Sequence, residues 1–272
     1  TALDDGGLEL ILAVCYGVND EEWADPARSE LVTLLLKESA SATLETDSCS
    51  DFLKVLLMEN FEAFAEACIA NMPDAVRMLK TEEDSQRLDH LTALRDGLTS
   101  SLHRGLVEAR THLESFLMIM AFAFEHRPDA AQEFWADPDG NLYGFLQWAS
   151  KRQTVPRVSA FCELLCSISV GEDNATAAHR FLSEEDKFMS AKFKRSTSMN
   201  WSQMFAELQL YATRVTEKPS TSQAILRSRK LDPADMSEPE SPVMLTCYLR
   251  LLEHLSKQSA TIRDWLLHHP TF

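Results

Sequence analysis

Eight glycines in 272 residues constrain this chain more than any other feature of its sequence. Glycine ordinarily makes up about 7% of a protein. Sandwiches, barrels and nucleotide-cradling α/β folds use it for tight turns and for close approach of backbone to phosphate. A chain so poor in glycine lacks those turns, and no Gly-rich phosphate motif occurs in it. With 45% hydrophobic and 25% charged residues, a large core can form, and disorder is excluded as a description of the whole chain. The apolar residues are spaced as in helices: Leu31, Leu34 and Leu35, then Phe52, Val55 and Leu56, then Leu113, Phe116, Leu117, Met120 and Phe124 all recur at three-to-four intervals. No alternating apolar run bounded by turn residues competes with them.

Prolines punctuate this pattern. Asp25-Pro26, Pro73-Asp74, Pro128-Asp129, Asp137-Pro138-Asp139 and Ser241-Pro242 each combine a capping or acidic residue with a proline. Proline loses nothing at the first helical position, where its missing N–H would have had no partner. The spacing predicts helices over 5–17, 27–38, 50–71, 74–80, 83–101, 103–126, 128–136, 141–151, 155–169, 173–182, 199–216, 241–257 and 259–268. Two polar stretches, 183–198 and 217–240, read as mobile loops, the second long and Pro-containing.

Many short helices without sustained heptads favour a superhelical stack over a compact bundle. The run Trp23-Ala24-Asp25-Pro26 returns as Trp135-Ala136-Asp137-Pro138, each time with Glu just upstream, and Trp265 closes another helix before Pro270. A helix ending in Trp and then stopped by Pro suits a unit that packs on the next one before the chain turns. The expected fold is all-α, an α-solenoid of irregular HEAT- and ARM-like helix pairs, with residues 1–272 forming one segment. Thr1 and the absence of a leader before Leu8 read as a segment of a longer chain. The longest apolar runs, such as Phe116 to Phe124, fall short of the roughly 20 residues that span a bilayer.

The net charge of −16, from 26 basic and 42 acidic residues, disfavours nucleic acid or an anionic membrane as the main partner. The charge is uneven: residues 1–150 carry 28 acidic and 10 basic side chains, residues 151–272 carry 14 and 16. An acidic front half steers basic partners, and it is also what a solvated helical face looks like.

Signals of chemistry are absent. Cys162 and Cys166 lie four apart, but no further ligand is near in sequence to complete a zinc site; they read as core thiols, like the other four cysteines, in a reducing compartment. In such a compartment the glycosylation patterns at Asn174 and Asn200 carry no meaning. His268 and His269, adjacent on a helix, read as capping its last turn. Glu82-Glu83-Asp84 and Glu184-Glu185-Asp186 lack the alternation and glycine of a calcium loop. No serine sits in a nucleophile elbow. Lys187, Lys192, Lys194 and Arg195, interleaved with Phe188 and Phe193, form a sparse basic segment that reads as solvated. Neither an enzyme nor a cofactor, metal or small-molecule substrate is expected.

The aromatic density of 134–148 is the one local feature that suggests binding. Tyr and Trp offer large rigid area with one polar handle, and they also serve cores. Trp135, Tyr143, Phe145 and Trp148 are the candidate partner-binding residues, as anchors of a groove or as its supporting core.

In this same stretch, Phe134-Trp135-Ala136-Asp137-Pro138 followed by Asn141-Leu142-Tyr143-Gly144-Phe145-Leu146-Gln147-Trp148-Ala149-Ser150-Lys151-Arg152-Gln153-Thr154 resembles the N-terminal half of the largest scaffold nucleoporins of the nuclear pore inner ring. The likeness continues through Val158 to Leu165, Asn174 to His179 and Asn200-Trp201-Ser202, covering about residues 115–215. The resemblance implies a question-mark-shaped α-solenoid at the nuclear envelope, with no catalytic residues to carry over. It implies a scaffold that binds short linear motifs of linker nucleoporins, contacts other inner-ring nucleoporins and helps to anchor the central-channel nucleoporin complex. The alternative is a generic helical-repeat adaptor or transport receptor, which a direct titration with a small GTPase would separate.

Overall fold

A computed structural model describes residues 5–19, 26–36, 51–81, 84–85, 111–151, 155–189 and 199–216, and finally 242–269. The helices are α1 (Gly7–Val18), α2 (Pro26–Leu36), α3 (Asp51–Asn71), α4 over residues 73–81, α5 (His112–Phe124), α6 (Pro128–Ala131), α7 (Glu133–Ala136), α8 (Asn141–Ala149), α9 (Val155–Ile168), α10 (Glu172–Met189), α11 (Trp201–Thr216), α12 (Pro242–Gln258) and α13 (Ala260–Leu267). No strand occurs among the described residues. The chain is an all-α stack, as its periodicity predicts. Pro26, Pro73, Pro128 and Pro242 each open a helix, where a missing N–H is harmless.

Some boundaries differ from the sequence reading. The single helix expected over 128–136 is two short turns jointed at Gln132, where the Trp135 N–H bonds the Gln132 carbonyl three residues back. Helix α10 runs to Met189, seven residues beyond its expected end, because the Glu and Lys residues there lose little in a helix. The remaining residues of that polar stretch, the 217–240 segment, most of the helix expected at 83–101 and residues 23–25 of the first Trp-Ala-Asp-Pro run lie outside the described residues, as does Cys49.

Helices α3, α5, α9 and α12 pack in series, with α1 against α5, and α2 against α9 and α12. At the centre, every residue of α5 is buried, including Glu114 and Ser115. A helix apolar nearly all round is a core helix, not a surface one. It ends where His126 adopts a left-handed backbone, φ 57°. One Glu114 oxygen is matched: Arg157 of α9 donates to it at 3.2 Å and to Asp84 at 3.3 Å.

Asparagines fasten the turns. Asn174 donates to the carbonyls of Pro128 and Val170, both at 3.0 Å, tying α10 to the start of α6. Asn200 accepts from the Gln203 N–H at 2.8 Å and caps α11. Both are buried, which leaves neither free to carry a glycan. Gly171, with φ 91°, takes a left-handed backbone that L side chains rarely adopt just before α10, its carbonyl accepts the Ala175 N–H at 2.9 Å, and its own N–H donates to Gln258 of α12 at 3.0 Å. The five described cysteines are free thiols, and burial raises the pKa of Cys15, Cys68, Cys162 and Cys166.

An aromatic cluster joins α10, α11 and α13. Trp201 stacks on Phe205 at 5.6 Å and meets Trp265 at 5.3 Å, and His179 lies 4.6 Å from Trp265. His268 bonds the Asp264 carbonyl at 2.7 Å, as its capping reading requires. His269 packs on Phe205 at 4.5 Å.

Burial depresses the pKa of His179 below its ordinary 6.5. His254 is depressed too, chiefly by burial and then by Lys257, Arg250 and His126, against the raising effect of its hydrogen bond to the Ser169 backbone. The unfolded chain therefore binds more protons than the folded one just below pH 6.5. Stability is full above that pH and falls as pH drops towards the lowered folded values. Thermal melts should show Tm declining between pH 7 and pH 5.5, with a shallower decline in His179→Phe; an unchanged slope in that variant would remove His179 from the account.

Candidate functional site

The aromatic segment folds around one turn. After α7, the Asp137 carboxylate accepts the Asp139 N–H at 3.0 Å, and the Gly140 N–H bonds the Asp137 carbonyl at 3.0 Å. A Cβ on residue 140 would sit 3.0 Å from that carbonyl, so glycine fits this turn better than any other residue. Helix α8 starts at once, and its C-terminal end is held by Lys80 of α4. The buried Lys80 ammonium donates to the carbonyls of Trp148 at 3.1 Å and Lys151 at 2.5 Å. It also lies 4.9 Å above the Trp148 ring. The Trp148 carbonyl belongs to the last turn of α8, which lacks i+4 partners, and positive charge is favoured beside it.

The four candidate residues separate onto two sides of α8. Trp135 and Tyr143 both meet Phe181 of α10 edge-on, at 6.3 and 5.7 Å, and Trp135 Nε1–H donates to the Ile168 carbonyl at 3.0 Å. These two lock α7 and α8 onto the stack. Phe145 and Trp148 face the other way, 5.8 Å apart. Phe145 meets Phe116 of α5 edge-on at 6.0 Å, and Trp148 is half-buried.

Phe145 and Trp148 line a groove of about 290 Å³ between α8 and the α3–α4 corner, whose opposite wall is Ile69, Pro73, Val76 and Arg77. A second depression of about 250 Å³ shares Ile69, Gly140 and Asn141 with it and is walled by Glu66, Glu133 and Asp137. At this end burial raises the pKa of Glu66, the neighbouring Glu133 and Glu62 carboxylates raise it further, and Arg127 opposes them. The α3–α4 wall escaped the sequence reading. Residues 66, 69, 73, 76, 77 and 80 follow helical spacing, but nothing in the sequence pairs that face with α8.

Chemically, the site offers aromatic faces, bare backbone at two glycines and an acidic end. Among the described residues, no group of three or more His, Cys, Asp or Glu side chains is placed to hold a metal ion, and no helix is long and apolar enough to cross a membrane.

The whole chain, residues 1–272, matches the family model for nuclear pore complex scaffold proteins, nucleoporins 186/192/205. Nucleoporin NUP192 of Chaetomium thermophilum is 42% identical over 275 aligned positions, which cover all of this chain and 15% of that protein. Nucleoporin nup186 of Schizosaccharomyces pombe is 23% identical over 229 positions, covering 83% of this chain and 14% of that protein. The chain thus spans about one seventh of the length of the relatives it matches.

Proposed function

Because this chain belongs to the nuclear pore complex scaffold family of nucleoporins 186/192/205, we propose that it acts as a non-catalytic adaptor of the pore's inner ring, receiving short linear segments of linker nucleoporins in the groove beside α8. Its place of work is the nuclear pore complex of the nuclear envelope, where membership of the family puts it. Its partners would be linker segments and neighbouring inner-ring nucleoporins, and its role the assembly of a pore that supports nucleocytoplasmic transport.

The observation that carries this reading is the position of Trp148. Its ring lines an open groove, while Lys80 and Phe145 fix it from behind and beside. A half-buried Trp on a rigid wall keeps apolar area in contact with water until a partner covers it, and such residues dominate binding energy. Helical stacks bind extended segments on surfaces of this kind.

Pull-down with linker-nucleoporin segments should show Trp148→Ala losing at least tenfold in capture while its circular dichroism and melt stay close to the parent. Tyr143→Ala, whose ring sits on Phe181 away from the groove, should lose stability and keep capture in the folded fraction. Full capture by folded Trp148→Ala would overturn the assignment.

A further inference from the structure

The groove and the acidic depression adjoin, and their ends differ in chemistry. Ile69, Gly140 and Asn141 line both, so one occupant lying along α8 touches both. At one end stand Phe145, Trp148 and Val76. At the other stand Glu66, Glu133 and Asp137, where burial, and then the Glu133 and Glu62 carboxylates, raise the Glu66 pKa against Arg127. A cation placed there relieves that repulsion. A second carboxylate would add to it.

We infer that this groove selects a short extended segment with a Lys or Arg at its acidic end and an aliphatic or aromatic side chain, three residues along, on Trp148 and Phe145. This rests on the reading of the groove as a linker-segment site and names the chemistry of the segment. The spacing follows from the helix: from Asn141 to Trp148 the axis advances roughly 10 Å, which a polyproline-II-like extended chain covers in about three residues, its three-residue turn keeping the first and fourth side chains on one face. The basic side chain lays its stem along Ile69 and Leu142 and its head between the carboxylates, as long cationic side chains do at the edge of apolar surface.

Between the two ends the wall is backbone. Gly144 lines the groove, and a Cβ built there meets nothing within 4 Å. A ligand's main chain can therefore approach α8 closely at that point. The same space makes Gly144 a clean place to block the groove, since a larger side chain there displaces no neighbour.

The test uses the full 272-residue chain and three labelled synthetic peptides read by fluorescence anisotropy: one carrying Lys-x-x-Leu, one with that Lys replaced by Glu, and one with that Leu replaced by Ser. The first should bind, and each replacement should weaken it at least tenfold. In the double variant Glu66→Lys/Glu133→Lys the preference between the Lys and Glu peptides should invert. Gly144→Met should weaken the Lys-x-x-Leu peptide at least tenfold, with Tm held or raised. Equal binding of the Lys and Glu peptides, an unchanged preference in the charge-reversed chain, or undiminished binding to Gly144→Met would each overturn the inference. Linker-nucleoporin segments separate the two levels. If they are lost from Gly144→Met yet held equally by the charge-reversed chain, the basic preference fails and the groove reading stands. If they are held equally by both variants, the groove reading fails and this inference with it.

Discussion

Glu163→Ala should lower the stability of the chain by about 3–5 kcal/mol, the cost of breaking a buried ion pair by removing one partner. Glu163 is 1% exposed, and two guanidiniums share its carboxylate. Arg28 Nε donates to one oxygen at 2.7 Å and Arg250 Nη1 to the other at 2.8 Å. The network continues from Arg28 Nη1 to Glu125 at 2.8 Å, and Asn19 donates to the second Glu125 oxygen at 2.6 Å. Asn19 closes α1, Arg28 lies on α2, Glu125 follows α5, Glu163 is on α9 and Arg250 on α12, so five parts of the stack meet at one carboxylate pair. Burial opposes the charge on Arg28, but the Glu163 and Glu125 carboxylates outweigh it and hold the guanidinium charged. Removing Glu163 leaves that charge in place with half its compensation. Glu163→Gln keeps shape and one acceptor, and should cost about 1.5–3 kcal/mol, the scale of a hydrogen bond to a charged group. Urea denaturation followed by circular dichroism gives both values. A loss below about 1 kcal/mol for Glu163→Ala would show that the network relaxes into solvent and does not hold the helices together.

This network also marks where sequence reasoning stops. Periodicity and proline placement locate helices because both act within one turn: Pro128 opens α6 and the three-to-four spacing of Leu113 through Phe124 gives α5. The same rules send charged residues to water, and Arg28, Glu114, Arg157 and Glu163 are buried instead, matched by partners 43 to 135 residues away in sequence. Apolar spacing misleads at other points. Leu31 and Leu35 are buried while Leu34 is exposed, and Phe52, Val55 and Leu56 are exposed although Met58, Ala65, Cys68 and Ile69 of the same helix are buried. A stripe tells which face of a helix is apolar, and the neighbours decide how much of it is covered.

The candidate site shows the same limit at closer range. Trp135, Tyr143, Phe145 and Trp148 stand out by composition alone, because aromatic residues are rare enough for five within fifteen positions to be visible. Which of them supports the fold and which faces the groove depends on Phe181 on one side of α8 and on Phe116 and Lys80 on the other. None of these is adjacent in sequence. Gly140 and Gly144 read as incidental in a glycine-poor chain, yet one makes the turn that launches α8 and the other leaves bare the strip where a ligand can approach.

Phe116→Ala should cost about 3–5 kcal/mol, the range for emptying a buried Phe site, and it should weaken binding in the groove without touching a ligand. Phe116 is 1% exposed. Its ring is 6.3 Å from Phe64 of α3 and 6.0 Å from Phe145 of α8, edge-on to both. It is therefore the piece of core behind the groove, joining the helix that forms one wall to the helix that forms the other. Without it Phe145 loses its edge contact, and the cavity left at Phe116 gives that ring room to turn away from the position at which it lines the groove. The two losses have separate readouts. The stability loss appears as a lower urea midpoint with unchanged slope. The binding loss appears, at a temperature where the variant is still folded, as a several-fold weaker affinity for the same linker segments that Trp148→Ala fails to capture. Phe116→Leu, which keeps most of the volume, should recover part of both. Should Phe116→Ala destabilise the chain by the full amount and leave groove affinity intact, the groove would owe its shape to α8 and Lys80 alone, and α5 would act only as core.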